Sequence, residues 1–364
     1  MSEFVHLSVQ NKIGHIVLDR PKALNSLSLD MIRALTVALR NWRDDPQVNA
    51  VLISSSSERA FCAGGDIRFF YDVGTATPKG DSALLEDFFT EEYALNHLIH
   101  FYPKPYIALM SGVVMGGGMG IAQAGPDTSI RIVTEKTKMA MPEVNIGLFP
   151  DVGGGYFLSR TPGETGTWLG LTGEIIQAAD ALYAGLADVY LPSSALPDLI
   201  SYLHACDSSD VCAAIATFAG PYAGQADPAQ SQLASQREAI DQLFKGDRVQ
   251  PIMQALEAAQ TAFATQTLAV MHKRSPLLMS VTLEQLRRSA SMNVSDCLRM
   301  ERTMVRHCFT HGEVLEGVRA LVVDKDNTPQ WNPAGIEEVS NDLVQRFFAP
   351  VWPDYAHPLR HLEE

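Results

Sequence analysis

One run limits the fold more than any other. The stretch "YIALMSGVVM", residues 106–115, follows Pro105 and closes on Gly116, Gly117 and Gly118. It offers no polar face, so it reads as a continuous strand buried on both sides, and such strands belong to parallel sheets with both faces covered. Parallel strands need crossovers, and the chain supplies them. "FVHLSV" and "GHIVLDR" flank "QNKI" as a hairpin. In "SLDMIRALTVALRNWRDDP", Ile32, Leu35, Leu39 and Trp42 recur at helical spacing, with Ser28 as N-cap and Pro46 beyond the end. "AVLISSS" is a second buried strand, and a loop holding "AFCAGGDIRFF" leads into the helix "SALLEDFFTEEYALNHLIHFYP". "MGGGMGIAQAG" starts a helix of small residues and "SIRIVT" is a further strand. Strands, helices and Gly-rich junctions recur in outline without a strict repeat, which predicts a mixed α/β core.

At 364 residues the chain exceeds one ordinary domain of roughly 100 to 200 residues. Its character changes near residue 196 to Ala- and Gln-rich helix, as in "IMQALEAAQTAFATQTLAVMHKR". The expected organisation is therefore an α/β core over 1–195 and a helical C-terminal region over 196–364. A formal net charge of −14 without clustered Lys and Arg argues against nucleic acid. "MSEFVHLSVQ" lacks a basic n-region, and no apolar run reaches about 18 residues, so neither a signal peptide nor a membrane span is expected, and the predicted location is cytoplasmic. Cys62, Cys206, Cys212, Cys297 and Cys308 are odd in number and scattered, as reduced thiols are. Without CxxC or HExxH no metal site is expected, and His97 and His100 share a helical face without a ligand set.

Three glycine clusters stand out: "CAGGD" (62–66), "MGGGMG" (115–120) and "DVGGG" (151–155). Any one alone serves a plain turn equally well. The second lies between an apolar run and a small-residue helix, so its N–H groups suit an anion or a developing oxyanion. It does not match GxGxxG, no GxxxxGK[ST] occurs, and Ser111 in "LMSGV" lacks the GxSxG setting of a nucleophilic serine. Glu92 falls inside the apolar stripe formed by Leu85, Phe88, Leu95 and Ile99, and a carboxylate there is expensive unless a partner or ligand meets it. "MPEVNIGLFPDVGGGYF" carries Glu143 and Asp151, each directly after a proline in an apolar run. Such acids serve as turn or cap residues, or as a catalytic pair.

"AFCAGGDI", "SGVVMGGGMG" and "MPEVNIGLFPDVGGGYFLSR", with "RPKALNSLS", "EEYALNHLI" and "GVRALVVDKDNTPQWNPA", resemble the crotonase (enoyl-CoA hydratase/isomerase) superfamily, and more closely its 3-hydroxyisobutyryl-CoA hydrolase branch. The resemblance spans most of the chain. It implies a crotonase-like spiral of ββα turns with a helical C-terminal extension. It further implies an acyl-CoA thioester substrate, with CoA as part of that substrate and no separate cofactor, whose carbonyl oxygen meets the N–H groups of Gly65 and Gly117. Family members often associate through C-terminal helices, so homo-oligomerisation stays open.

The superfamily supports several reactions, and the carboxylates must choose among them. Hydratases of the family carry a glutamate three residues after the middle glycine of GGG; here that position is Gly120. The second hydratase acid is kept as Glu143, Asp151 is added, and Glu92 matches the hydrolase pattern. The resemblance thus implies thioester hydrolysis of a short 3-hydroxyacyl-CoA of valine breakdown. Glu143 would be nucleophile or general base, Asp151 its acid/base partner, and Glu92 a partner for the 3-hydroxyl. Hydration or isomerisation of an enoyl-CoA, and acyl-CoA binding without turnover, are the competing expectations.

Overall fold

The structure is a computed structural model describing residues 2–77, 82–123, 125, 128–206 and 210–363. Two compact units emerge, each drawn from three stretches of chain. The first comprises Met1–Gly65, Leu95–Ala140 and Ile175–Ser235; the second comprises Asp66–Ala94, Met141–Glu174 and Gln236–Glu364. The boundary near residue 195 follows composition, whereas these units follow contact in space.

Among the described residues the first unit holds every strand. β1 (Val5–Gln10) and β2 (Ile13–Leu18) form the antiparallel hairpin. Its turn residues Asn11 and Lys12 both take positive φ (48° and 59°), the handedness that matches twisted strands in a two-residue turn. β3 (Ala50–Ser55), β5 (Tyr106–Met110), β7 (Ser129–Val133) and β9 (Val189–Tyr190) then add in parallel, giving one six-stranded sheet in the order β1-β2-β3-β5-β7-β9. A second, three-stranded parallel sheet contains β4 (Ala60–Cys62), β6 (Val113–Met115) and β8 (Lys138–Ala140).

The run 106–115 is therefore not one strand. It breaks at Ser111–Gly112 into β5 of the large sheet and β6 of the small one. Gly112 takes φ +78°, and a Cβ there would sit 2.5 Å from the Arg59 carbonyl oxygen, so the corner requires glycine. The apolar pattern gave no warning, because both halves are buried and hydrophobicity does not record a change of sheet. The same corner recurs between β3 and β4 and between β7 and β8. The pairs β3/β4, β5/β6 and β7/β8 thus each feed one strand to each sheet, which is the ββα spiral.

α1 (Leu29–Arg43) lies between β2 and β3 in sequence; Ser28 accepts the Met31 N–H at its N-terminus. Ile32, Leu35, Leu39 and Trp42 are all buried, as their spacing predicts. Trp42 lies so close to β2 that a Cβ on Gly14 would meet its ring at 2.6 Å. Ile13, Leu52, Ile107, Ile132, Leu199 and Leu203 belong to one core cluster. Each such side chain contributes about 1.5–3 kcal/mol by leaving water.

The second unit is helical. α2 (Ile67–Ala76) is capped by Asp66, which accepts the Phe69 N–H. α3 (Ala83–His100) enters the unit through its first turns. Phe70, Phe88, Phe89 and Phe309 cluster here, with ring centroids 4.8 Å apart for Phe70–Phe88 and 5.6 Å for Phe89–Phe309. The helices Pro276–Ser289 and Val294–His311 supply much of the remaining core. Among the described residues no helix is long and apolar enough to cross a membrane.

Candidate active site

In the first unit the candidate groups are main-chain. Asn25, fully buried, donates to the carbonyls of Phe61 (3.0 Å) and Ala60 (3.3 Å), and Leu27 N–H donates to the Gly64 carbonyl at 2.8 Å. The segment "KALNSL" is thus the platform on which the "CAGGD" loop is laid. Gly64, at φ +100°, stands where a Cβ would be 3.1 Å from the Met115 carbonyl and 3.4 Å from the Gly117 nitrogen. Gly116 turns the chain at φ 50° into α4 (Gly117–Gly120). A Cβ on Gly118 would collide with the Cys62 carbonyl. The two loops meet backbone to backbone because glycines line both sides. As the first helical residue, Gly117 has an N–H without an acceptor in its own helix. Gly65 forms a parallel β-bridge with Leu27 of the "KALNSL" segment.

In the second unit the functional groups are side chains. Glu143 begins the short turn Glu143–Ile146 after Pro142, and Gly147 ends it at φ 70°. Asp151 follows Pro150 and precedes Val152 and Gly153, both at positive φ (54° and 87°), before α5 (Gly154–Leu158). Glu92 sits on α3. The structure brings Glu92, Glu143 and Asp151 into one buried cluster, with exposures of 2%, 5% and 5%. Glu92 Oε1 and Glu143 Oε2 have no hydrogen-bond partner among the described residues. The guanidinium groups of Arg302 and Arg306 both engage Glu86 instead.

Two further residues complete the cluster. Tyr93 is fully buried and donates its hydroxyl to Asp151 Oδ2 at 2.7 Å. Glu301, also fully buried, accepts the N–H groups of Gly153 (2.7 Å) and Gly155 (2.9 Å) and the Gln285 side-chain amide (3.1 Å). That amide also holds the Pro150 carbonyl at 2.7 Å. Gly155 is needed for this approach, since a Cβ there would lie 3.0 Å from both Glu301 Oε1 and Gln285 Nε2. The loop carrying Asp151 is therefore pinned on both sides. Glu301 had a sequence signal: Cys297, Leu298, Met304 and Val305 surround it at helical spacing, the same pattern that exposes Glu92. Tyr93 had none, because a buried tyrosine on an apolar stripe reads as core.

The charge states follow from burial. Desolvation, then the nearby Asp151 charge, holds the Glu92 carboxyl well above the usual range. Glu143 is raised well above its usual range by the same two causes in the same order. Asp151 is pushed up to about 6 by burial, with the Tyr93 hydroxyl pulling it back down. Burial pushes Glu301 up to about 8 against the pull of its two backbone donors. Burial and the Asp151 charge raise the Tyr93 phenol, which therefore stays protonated and able to donate. Burial therefore disfavours the charged form of every carboxyl in the cluster, and at Asp151 the Tyr93 hydroxyl opposes it. Such an arrangement can both give and take protons.

A ββα spiral with main-chain donors and a buried acid cluster defines a crotonase-fold protein equipped for acid/base chemistry. The chain belongs to the enoyl-CoA hydratase/isomerase family, whose sequence model matches residues 13–348. It is 41% identical over 350 residues to the mitochondrial 3-hydroxyisobutyryl-CoA hydrolase of Gallus gallus, covering 95% of this chain and 89% of that protein. The Xenopus tropicalis protein of the same name is 40% identical over 343 residues, covering 93% and 86%. Among solved structures, a carnitinyl-CoA dehydratase from Mycobacterium thermoresistibile superposes with a TM-score of 0.88 at 40% identity, covering 97% of this chain and 98% of that one. One expectation falls here. The predicted cytoplasmic location is contradicted by these hydrolases, which are mitochondrial by name. Charge and apolar-run length report whether a chain is soluble, and soluble proteins of different compartments share that physics.

Proposed function

We propose that the protein hydrolyses a short 3-hydroxyacyl-CoA thioester, 3-hydroxyisobutyryl-CoA of valine breakdown, to 3-hydroxyisobutyrate and CoA. The observation that carries this reading is the buried Glu143–Asp151 pair, found in a chain that has Gly120 where a hydratase has its other glutamate. In the proposed reaction the thioester oxygen accepts hydrogen bonds from the Gly65 and Gly117 N–H groups. Such donors stabilise the tetrahedral intermediate, and each is typically worth about 2.7–4 kcal/mol.

Burial favours the protonated form of Glu143, so its use as nucleophile or base requires a neighbour able to accept a proton, and Asp151 fills that role in the scheme. The carbonyl carbon then gains a C–O bond and loses its C–S bond. Water supplies the oxygen and one hydrogen of the new carboxyl group, and the other hydrogen reaches the departing thiolate. CoA is part of the substrate, and the scheme calls for no further cofactor. Glu92, with an unpartnered buried oxygen, suits the substrate's 3-hydroxyl.

The 40% identity to a protein named as a dehydratase supports a second reading, reversible hydration on the same fold. Two assays separate them. With 3-hydroxyisobutyryl-CoA, a thiol reagent should report stoichiometric CoA release. With crotonyl-CoA, loss of the enoyl absorbance should be negligible. Rapid hydration without thiol release would overturn the hydrolase reading.

A further inference from the structure

We propose that Tyr93 is a positioning residue: its hydroxyl, donated to Asp151 Oδ2, fixes that carboxylate and makes it the member of the acid cluster that carries the negative charge. The inference rests on the proposed hydrolase chemistry and extends it to a residue that the catalytic pair does not include.

The geometry supports the assignment. The bond is 2.7 Å long and fully buried, and it joins positions 58 residues apart in the chain. A hydroxyl donor to an anion is among the stronger hydrogen bonds, and it favours the charged form of its acceptor. The groups that face Asp151 or Tyr93 come from every neighbouring element. Glu92 shares α3 with Tyr93, Glu143 comes from the turn after Pro142, and Glu301 and Cys308 come from the helix Val294–His311. The Arg302 guanidinium also feels Tyr93, but it is bound to Glu86 and Thr90. Around Asp151 the other groups are acids or a thiol. A carboxylate in such company would ordinarily give up its charge, and the Tyr93 hydroxyl acts in the opposite sense. Burial pushes Asp151 up to about 6, and the Tyr93 hydroxyl is the first of the groups that pull it back down.

The test compares Tyr93→Phe with the parent protein by CoA release across pH. The phenyl ring keeps the contact with Phe89, whose centroid lies 5.9 Å away. Loss of the donor should move the acidic limb of kcat upward by about one pH unit from near 6, giving roughly fivefold slower turnover at pH 6 and near-parental turnover above pH 8. Replacement of Tyr93 by 3-fluorotyrosine, a stronger donor of similar size, should move the limb in the acidic direction, and this serves if the Phe variant does not fold. A loss of the same factor at every pH, or limbs that stay in place in the folded variants, would overturn the proposal. Asp151→Asn, assayed alongside, tells the two levels apart. If it retains full activity, Asp151 has no role for Tyr93 to support and this inference fails, as it does if the Tyr93 limbs do not move; the hydrolase reading itself fails only if the parent protein releases no CoA.

Discussion

The two units solve opposite physical problems. The first brings backbone to backbone. The atoms nearest Gly64 and Gly118 are main-chain carbonyls, and the surrounding polar groups are tied down by Asn25 and the strand ladders. The second leaves side chains in want of partners. Among the described residues it buries five carboxylates at 0–5% exposure, and Glu92 and Glu143 each keep an oxygen without a hydrogen bond. A main-chain amide carries a fixed dipole that no pH change removes, whereas a buried carboxyl is a proton store set by its surroundings. The first kind of site demands exact shape and the second demands an unfavourable electrostatic state, so the two should respond differently to substitution.

The largest effect should come from neutralising the acids. Glu143→Gln and Asp151→Asn should each lower CoA release by about 10²–10⁴-fold with an unchanged circular dichroism spectrum. Unaltered turnover in both would remove the acid cluster from the chemistry. Next, Gly118→Ala adds one carbon against the Cys62 carbonyl and must push the two glycine loops apart. Turnover should fall about 10²–10³-fold, as for a displaced oxyanion donor, while the pH at which the remaining activity is half-maximal stays in place. A shifted pH profile in that variant would mean that the loops and the acids are not separable.

The smallest effect has the opposite sign. Glu143→Gln should stabilise the fold by about 1–2 kcal/mol even as it removes activity. The raised carboxyls keep protons in the folded chain that the unfolded chain has released, so the folded state binds more protons and its stability falls as pH rises. The loss begins near the unfolded carboxylate range of about 4 and runs upward through about 6 for Asp151 and about 8 for Glu301. Thermal midpoints of parent and variant should therefore coincide near pH 4 and diverge by pH 8. A variant that is less stable at pH 8 would show that Glu143 is satisfied in the folded protein.

The hairpin, α1 and its buried stripe, and the burial of Glu92 could all be read from local pattern, because turn chemistry and helical periodicity are properties of neighbouring residues. The corner at Gly112 could not, since glycine after serine in an apolar run signals a turn no more than a tight packing contact. Glu301 was legible by the wheel argument that singles out Glu92, yet its bonds to Gly153 and Gly155 span nearly 150 residues. The pairing of Tyr93 with Asp151 left no local mark.

By itself the sequence determined the class of fold, through buried apolar runs alternating with amphipathic helices, and it marked the acids and glycines whose types fit acyl-CoA chemistry. Tertiary structure alone decided which strand joins which sheet and which donor meets each buried carboxyl. Periodicity is encoded between neighbours in the chain, whereas desolvation and hydrogen bonding depend on groups that only folding brings together.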